Sequence, residues 1–209
     1  MTREVLPDPS VAELVGLGQV RSFPKHAVIV TEGEPGDSLY VIVSGKVKVF
    51  LSDEHGREVV LGTCGPGDYF GEMALDGGPR SASVMCLEPS CFAVVTRDAL
   101  RCAIAADPDF AFKLLSTVIS RARLMTDLVK NLALLDVYGR VARLLLGLAV
   151  EQEDGTLMVT EPLTQQNIAD RVGASRDMVN RIIRDLSAGG YIAVSRRQIS
   201  ILRRPPARW

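Results

Sequence analysis

Phe70-Gly71-Glu72-Met73-Ala74-Leu75-Asp76-Gly77-Gly78-Pro79-Arg80-Ser81-Ala82 is the stretch of this chain that says most about its fold and its chemistry. This glycine-rich stretch contains the carboxylate of Glu72, the guanidinium of Arg80 and the hydroxyl of Ser81. A carboxylate accepts hydrogen bonds from sugar hydroxyls, and an arginine binds phosphate through its planar fork of donors. Glycine lets backbone N–H groups approach an anion closely. The stretch therefore predicts a loop that holds a phosphorylated ribose, the alternative being a surface loop with an incidental arginine.

The segments around this loop predict an antiparallel barrel or jelly roll. Short β-branched runs alternate with Gly/Pro turns at roughly ten-residue spacing between Val28 and Thr96, which is typical of such folds. The predicted strands are 28–31, 39–43, 47–51, 59–61, 81–86 and 91–96. A small jelly roll also supplies an internal pocket, so the fold class is expected to be α+β with the loop at the pocket.

A long helix is predicted from Pro108 to about residue 135, since proline suits a first helical turn. Apolar residues repeat along it at alternating spacings of four and three, as in a coiled coil. They are Ala111, Leu115, Val118, Ala122, Met125, Val129 and Leu132. A narrow stripe of this length favours pairing with a second copy of the helix, so residues 108–135 predict a parallel homodimer. The alternative is a helix packed on its own barrel.

Residues 163–186 have the form of a helix-turn-helix. Thr164 and Ser175 are suitable N-caps, and Gly173 supplies the turn between the two helices. In the second helix the apolar residues share one face and the polar ones the other, as a DNA-reading helix requires. The candidate DNA-binding residues are Thr164, Gln165, Ser175, Arg176, Asp177, Asn180, Arg181 and Arg184. A following hairpin with Arg196 and Arg197 at its tip predicts a wing that contacts phosphates.

The charge of the 209-residue chain is distributed unevenly. Its net charge is −1, yet residues 1–136 carry 13 basic and 18 acidic residues, whereas residues 171–209 carry 9 and 2. A basic carboxyl-terminal portion indicates a polyanion partner for that portion, double-stranded DNA being the expected one. A solvated basic surface on a small helical domain is the alternative.

Composition argues against several other classes. No apolar run reaches the length of a membrane span and the amino terminus lacks a secretory signal, so a cytoplasmic location without membrane contact is expected. Four scattered cysteines predict buried, reduced thiols and no metal cluster. Two isolated histidines cannot supply the His-rich site of a jelly-roll metalloenzyme, and no catalytic set is apparent, so the chain is not expected to be an enzyme.

From about Phe23 to Leu202 the chain resembles the cAMP receptor protein/fumarate-nitrate regulator family of bacterial transcription factors. The matching segments follow the family's order along the chain. They are Gly33-Glu34, Gly45, Gly67-Asp68, Gly71-Glu72, Arg80-Ser81-Ala82, Leu135-Asp136-Val137, Gly139-Arg140 and the helix-turn-helix. The resemblance implies a cyclic-nucleotide-binding jelly roll at 1–107, a dimerisation helix and hinge at 108–136 and a winged helix at 137–209.

The resemblance also implies roles for individual residues. Glu72 would accept the ribose 2′-hydroxyl, Arg80 and Ser81 would bind the cyclic phosphate, and Thr126 would reach adenine partly across the dimer. Backbone groups of Gly71, Glu72 and Met73 would face the same ligand. Arg176, Asp177 and Arg181 would read bases in a palindrome with a TGTGA-like half-site.

Three positions depart from the family pattern. The run from Glu72 to Arg80 is one or two residues shorter, Met125 stands where a second hydroxyl is usual, and Asp177 replaces a longer glutamate. The expected function is a homodimeric DNA-binding regulator controlled by cAMP, with RNA polymerase as a further partner. Control by cyclic GMP, cyclic di-GMP or thiol oxidation, or activity without any ligand, stays open.

Overall fold

A computed structural model describes residues 9–153, 155–195 and 198–206. The chain divides into two compact units. One comprises the residues up to 51 together with 61–124, and the other comprises 52–60 together with 125 onward. The boundaries expected at residues 107 and 136 remain predictions.

The amino-terminal part is a jelly roll of two four-stranded antiparallel sheets, as the sequence predicted. In chain order its elements are α1 (Pro9–Leu17), β1 (Gln19–Phe23), β2 (Val28–Val30), β3 (Ser38–Ser44), β4 (Val47–Ser52), β5 (Glu58–Cys64), β6 (Tyr69–Phe70), β7 (Ser83–Cys86), β8 (Ser90–Thr96) and α2 (Arg97–Ala106). The strand orders are β1-β8-β3-β6 in one sheet and β2-β7-β4-β5 in the other. Buried aromatic rings fill part of the interior: Phe70 packs edge-on against Phe92 at 5.4 Å and stacks on Tyr40 at 5.0 Å.

Some of these elements had no counterpart in the sequence analysis. β1 is largely exposed, so it lacks the apolar alternation that marks a half-buried strand, and its register is set by pairing with β8. β6 has only two residues, too few for a periodic pattern. The helices α1 and α2 were likewise missed.

The long helix α3 runs from Pro108 to Leu134, within one residue of the predicted span. Its predicted seam is solvent-exposed in the single chain: Leu115 is 50% exposed and Val129 is 64% exposed. Beyond it, α4 (Val137–Leu148) begins at an N-cap in which Asp136 Oδ1 accepts a hydrogen bond of 2.7 Å from Gly139 N.

The carboxyl-terminal elements form the predicted winged helix. After α4 come β9 (Ala149–Glu151), β10 (Leu157–Val159), α5 (Gln165–Val172), α6 (Arg176–Ala188), β11 (Ile192–Ser195) and β12 (Gln198–Ile201). The sheet order is β11-β12-β10-β9, and α4, α5 and α6 share one apolar core with it. Residues 149–151 follow α4 directly and pair with β10 as a strand.

All four cysteines are free thiols, but their burial differs from the expectation. Cys86 is buried, Cys64 and Cys91 are half-buried, and Cys102 is exposed on α2, so the prediction of buried thiols is wrong there. Within the described ranges, no group of three or more His, Cys, Asp or Glu is placed to hold a metal ion. Over the same ranges, no helix combines the length and the apolar character that crossing a membrane would need.

Candidate functional site

The loop between β6 and β7 is shaped by glycines with positive φ. Gly71, at φ +88°, follows β6 directly, and a 3-10 turn over Glu72–Asp76 leads to Gly77 at φ +97°. A Cβ atom on Gly71 would lie 2.6 Å from Arg80 Nη1 and 2.9 Å from the Ser38 carbonyl oxygen. Only glycine therefore fits at residue 71, on grounds of both backbone conformation and space.

Arg80 is a buried cation, with only 7% of its surface exposed. Its Nη1 donates hydrogen bonds of 2.9 Å to the carbonyl oxygens of Ser38 and Gly71, and its guanidinium lies 5.7 Å from the centre of the Tyr40 ring. Gly36 packs so closely that a Cβ there would lie 2.3 Å from Arg80 Nε. The guanidinium is thus held in one orientation.

Arg80 also lacks a negatively charged partner, because no carboxylate of the described residues lies within ion-pair distance of it. Burying a charge without a counter-charge is costly, so the chemistry of this position favours an anion. Two neutral carbonyl oxygens engage Nη1, which leaves other donors of the fork for such an anion.

Glu72, which lies near the start of the β6–β7 loop, is paired with Arg121 of α3. Arg121 Nη1 lies 2.7 Å from Glu72 Oε2, and the two side chains are 27% and 12% exposed. Arg121 Nη2 also donates to the Tyr69 carbonyl oxygen, and the guanidinium lies 5.2 Å from the centre of the Tyr69 ring. Burial alone would lower the pKa of Arg121, but the charge and the hydrogen bond of Glu72, with smaller contributions from Cys64 and Tyr69, together outweigh it and raise the pKa. Arg121 therefore stays protonated.

Arg121 is the residue that the sequence analysis missed as part of this site. A single arginine between heptad positions carries no periodic signal, and its partner is distant in sequence. Only the packing of α3 against the β6–β7 loop identifies it.

The other predicted ligand-binding residues are distributed as follows. Ser81 Oγ donates to Met73 Sδ at 3.0 Å, and both side chains are exposed at the loop surface. Gly71, Glu72, Met73, Arg80 and Ser81 are therefore brought together by one loop. Thr126 is an exposed residue of α3 that belongs to the second compact unit, so its contact with a ligand stays a prediction.

In the helix-turn-helix, two of the predicted DNA-binding hydroxyls cap helices. Thr164 and Asn167 form a reciprocal capping box, in which Thr164 Oγ1 accepts from Asn167 N at 3.1 Å. Ser175 Oγ accepts from Met178 N at 3.2 Å, and Gly173 takes the left-handed conformation between the helices. These local bonds fix where α5 and α6 begin.

The face of α6 opposite its core is basic. Val179, Ile182, Ile183 and Leu186 are buried, whereas Arg176, Asp177, Arg181 and Arg184 are exposed. Among the described residues, no carboxylate forms an ion pair with these three arginines. Asn180 is half-buried and accepts a hydrogen bond of 2.9 Å from Gln165 Nε2. Arg196 and Arg197 lie outside the described residues.

Comparison with known proteins finds two family models on the chain. Residues 20–107 match the cyclic nucleotide-binding domain, which contains the β6–β7 loop. Residues 139–205 match the Crp-like helix-turn-helix domain, which contains α5 and α6.

Curated relatives match almost the whole chain. A CRP-like cAMP-activated global transcriptional regulator of Mycobacterium tuberculosis is 41% identical over 199 residues, covering 93% of this chain and 89% of the relative. A cAMP-activated global transcriptional regulator of Salmonella typhimurium is 33% identical over 202 residues, covering 93% of this chain and 94% of the relative.

Solved structures share the fold. A regulator of Xanthomonas campestris described as c-di-GMP responsive superposes with a TM-score of 0.82 at 24% identity, over 94% of this chain and 99% of the other. A CRP/FNR-family transcriptional regulator of Thermus thermophilus gives a TM-score of 0.70 at 27% identity, over 88% and 93% of the two chains.

Proposed function

Because the chain belongs to the cAMP receptor protein/fumarate-nitrate regulator family of transcriptional regulators, we propose that it is a homodimer whose binding to palindromic DNA is controlled by cAMP. The observation that carries the proposal is Arg80, a buried guanidinium with no carboxylate partner among the described residues, in a loop that also presents Glu72.

The cyclic phosphate would bind at Arg80. The guanidinium is already oriented by Ser38, Gly71 and Gly36, so little side-chain entropy is lost when an anion arrives. Ser81 would add a hydroxyl donor beside it once that hydroxyl turns from Met73 Sδ to the phosphate. The phosphate would supply the negative charge that the described surroundings of Arg80 lack.

The ribose would bind at Glu72, whose carboxylate has more lone pairs than the bond to Arg121 uses. A hydroxyl donating to Glu72 would share that carboxylate with a residue of α3. The ligand would thus be linked through one ion pair to the proposed dimerisation helix. An effector changes DNA affinity only if it binds one conformation of the protein more tightly than the other, and this link would give the two conformations different affinities for cAMP.

Adenine recognition is the finer part of the proposal. Thr126 would supply one hydroxyl from α3, and by the family resemblance Met125 stands beside it where a second hydroxyl is usual. The M. tuberculosis and S. typhimurium relatives are named as cAMP-activated, which favours cAMP over cyclic GMP. The X. campestris regulator is described as c-di-GMP responsive, but at 24% identity it supports only a common fold.

Control by thiol oxidation is less well supported by the site. Burial raises the pKa of the Cys64 thiol, with Asp68 and Glu72 adding to the rise against Arg121. Burial likewise raises the pKa of Cys86. A raised pKa keeps a thiol protonated and slow to react at neutral pH.

Dimerisation and DNA reading complete the proposal. The exposed apolar seam of α3 is the surface that a second copy would cover. Two copies would present two α6 helices to successive major-groove segments, with Arg176 and Arg181 facing guanines and Asp177 facing cytosine. RNA polymerase is the further partner that this role implies.

The test is a calorimetric titration of ligand-stripped protein with cAMP, cyclic GMP and cyclic di-GMP. We expect cAMP to bind, and Arg80→Leu to weaken binding by more than about a hundredfold, because a buried charge pair is lost. Arg21→Leu, on exposed strand β1, is the matched control and should bind as the parent does. Parent protein that binds cyclic di-GMP but not cAMP, or an Arg80→Leu variant that binds cAMP normally, would refute the assignment.

A further inference from the structure

One side-chain hydrogen bond joins the two helices of the helix-turn-helix. Gln165 is the first residue of α5, and its Nε2 donates to Oδ1 of Asn180 in the middle of α6 at 2.9 Å. Both side chains are half-buried. The bond therefore restrains the amide of Asn180 from outside its own helix.

The bond from Gln165 leaves part of the hydrogen-bonding capacity of the Asn180 amide unused. An asparagine amide has one acceptor oxygen and an NH₂ group with two donors. The bond from Gln165 engages one of the two lone pairs of the Asn180 oxygen and turns that oxygen toward α5, whereas Nδ2 donates to no group of the described residues. Most of the unused capacity of this side chain is thus on the donor side.

Asn180 also occupies a suitable place on α6. It lies four residues after Arg176 and four before Arg184, so it falls in the same row of the helix, next to Arg181. That row borders the buried ridge of Val179 and Ile183, which agrees with the half-buried state of Asn180. Asn180 therefore lies at the edge of the exposed face whose side chains are proposed to enter the major groove.

We propose that Gln165 is a positioning residue that fixes the Asn180 amide with Nδ2 toward the groove, so that Asn180 selects one base in each half-site by its acceptor atoms. Guanine O6 and N7, thymine O4 and adenine N7 are such acceptors, whereas cytosine offers only the donor N4. This inference rests on the proposed role of α6 as the recognition helix.

The decisive variant is Gln165→Glu, because a carboxylate can only accept hydrogen bonds. Asn180 must then turn Nδ2 toward residue 165 and present Oδ1 to the groove. Glutamate is well tolerated in the first turn of a helix, so α5 should be preserved. The preferred base at one position of each half-site should change from guanine or thymine, which offer only acceptors there, to cytosine, which offers only a donor.

The measurement is binding-site selection from a randomised duplex pool at fixed salt, with the full-length protein and with or without added cAMP. We expect Asn180→Ala to relax one position, Gln165→Ala to relax the same position, and the double variant to do no more than either. Gln165→Glu should shift the base preference there by about fivefold or more.

The matched control is Gln166→Glu, which adds the same charge one residue further along α5, where Gln166 bonds to Asp170 and not to Asn180. It should lower DNA affinity without changing any base preference. Thermal unfolding of each variant, followed by circular dichroism, checks that the domain stays folded.

Two kinds of failure can be told apart with Arg181→Ala in the same selection. If Arg181→Ala leaves the whole profile unchanged, α6 is not the reading helix and the proposed function itself fails. If Arg181→Ala relaxes the site but Gln165→Glu leaves every base preference as in the parent, the positioning role of Gln165 is overturned. Relaxation by Asn180→Ala but not by Gln165→Ala would overturn it too.

Discussion

In the β6–β7 loop, Arg80 is 7% exposed and its Nη1 is held by two carbonyl oxygens, whereas Arg176, Arg181 and Arg184 of α6 extend into solvent. Neither region offers its arginines a carboxylate partner among the described residues. The buried guanidinium is fixed before any ligand arrives, which suits one small anion in one pose. The exposed arginines of α6 keep their rotamer freedom, which suits a long polyanion because their side chains can adjust to phosphates and bases at several positions. The same side chain thus provides selectivity in one region and electrostatic attraction in the other.

Raising the salt concentration should distinguish the two regions most strongly, because it should lower the affinity for DNA far more than the affinity for the cyclic nucleotide. Exposed arginines that neutralise DNA phosphates release counter-ions, so DNA affinity should fall about a thousandfold or more between roughly 50 and 200 mM salt. Cyclic-nucleotide affinity should change by less than about threefold, since salt screens a buried pair much less. Fluorescence anisotropy with labelled DNA and calorimetry with cAMP measure the two. An equally steep loss of cAMP affinity would mean that Arg80 is accessible to ions.

Replacing Gly71 by alanine should weaken nucleotide binding strongly. The left-handed backbone at φ +88° costs a non-glycine residue about 1–2 kcal/mol, and the new Cβ would press on Arg80 and on the Ser38 carbonyl. We expect cAMP affinity to fall by about a hundredfold and the midpoint of thermal unfolding to drop. Gly65→Ala is the control, because a Cβ there meets no atom within 4 Å. Normal cAMP binding by Gly71→Ala would show that the loop does not depend on this glycine.

Arg181→Ala should lower the affinity and specificity for DNA and leave cAMP binding unchanged. Loss of one arginine contact to guanine costs about 1–3 kcal/mol and should relax specificity at one position of the half-site. Gel-shift titrations and binding-site selection measure the effect, and Arg143→Ala, exposed on α4, serves as the comparison variant. Calorimetry should show unchanged cAMP affinity. If Arg181→Ala weakened cAMP binding as strongly as DNA binding, the division of labour between the two regions would be wrong.

The smallest effect is expected from the Glu72–Arg121 pair. Arg121→Leu leaves the Glu72 carboxylate, 12% exposed, without its partner and should lower the free energy of unfolding, whereas Glu72→Gln together with Arg121→Leu should recover part of the loss. A double-mutant cycle by urea unfolding should give a coupling of about 1 kcal/mol. A coupling indistinguishable from zero would mean that the pair does not link the loop to α3.

Much of the site could be predicted from sequence because its signals are local. The caps at Thr164 and Ser175 form as their residue types predicted, and the glycine-rich stretch is a loop in which Gly71 and Gly77 take positive φ. The heptad spacing placed α3 within one residue of its observed end. Strands shorter or more exposed than the usual pattern, such as β1 and β6, gave no such signal.

By itself, then, the sequence determined the succession of a strand-rich region, a long helix and a helix-turn-helix, together with the glycine-shaped loop, the two capped helices and their polar and apolar faces. Hydrogen bonding and periodicity, which act over a few residues, carry that information. The tertiary structure alone decided that Arg121 meets Glu72, that Arg80 is buried beside Gly36 and Tyr40, and that Gln165 bonds Asn180. Each of these contacts joins side chains from separate elements, and their distances depend on how whole sheets and helices pack. No local rule of sequence contains that information.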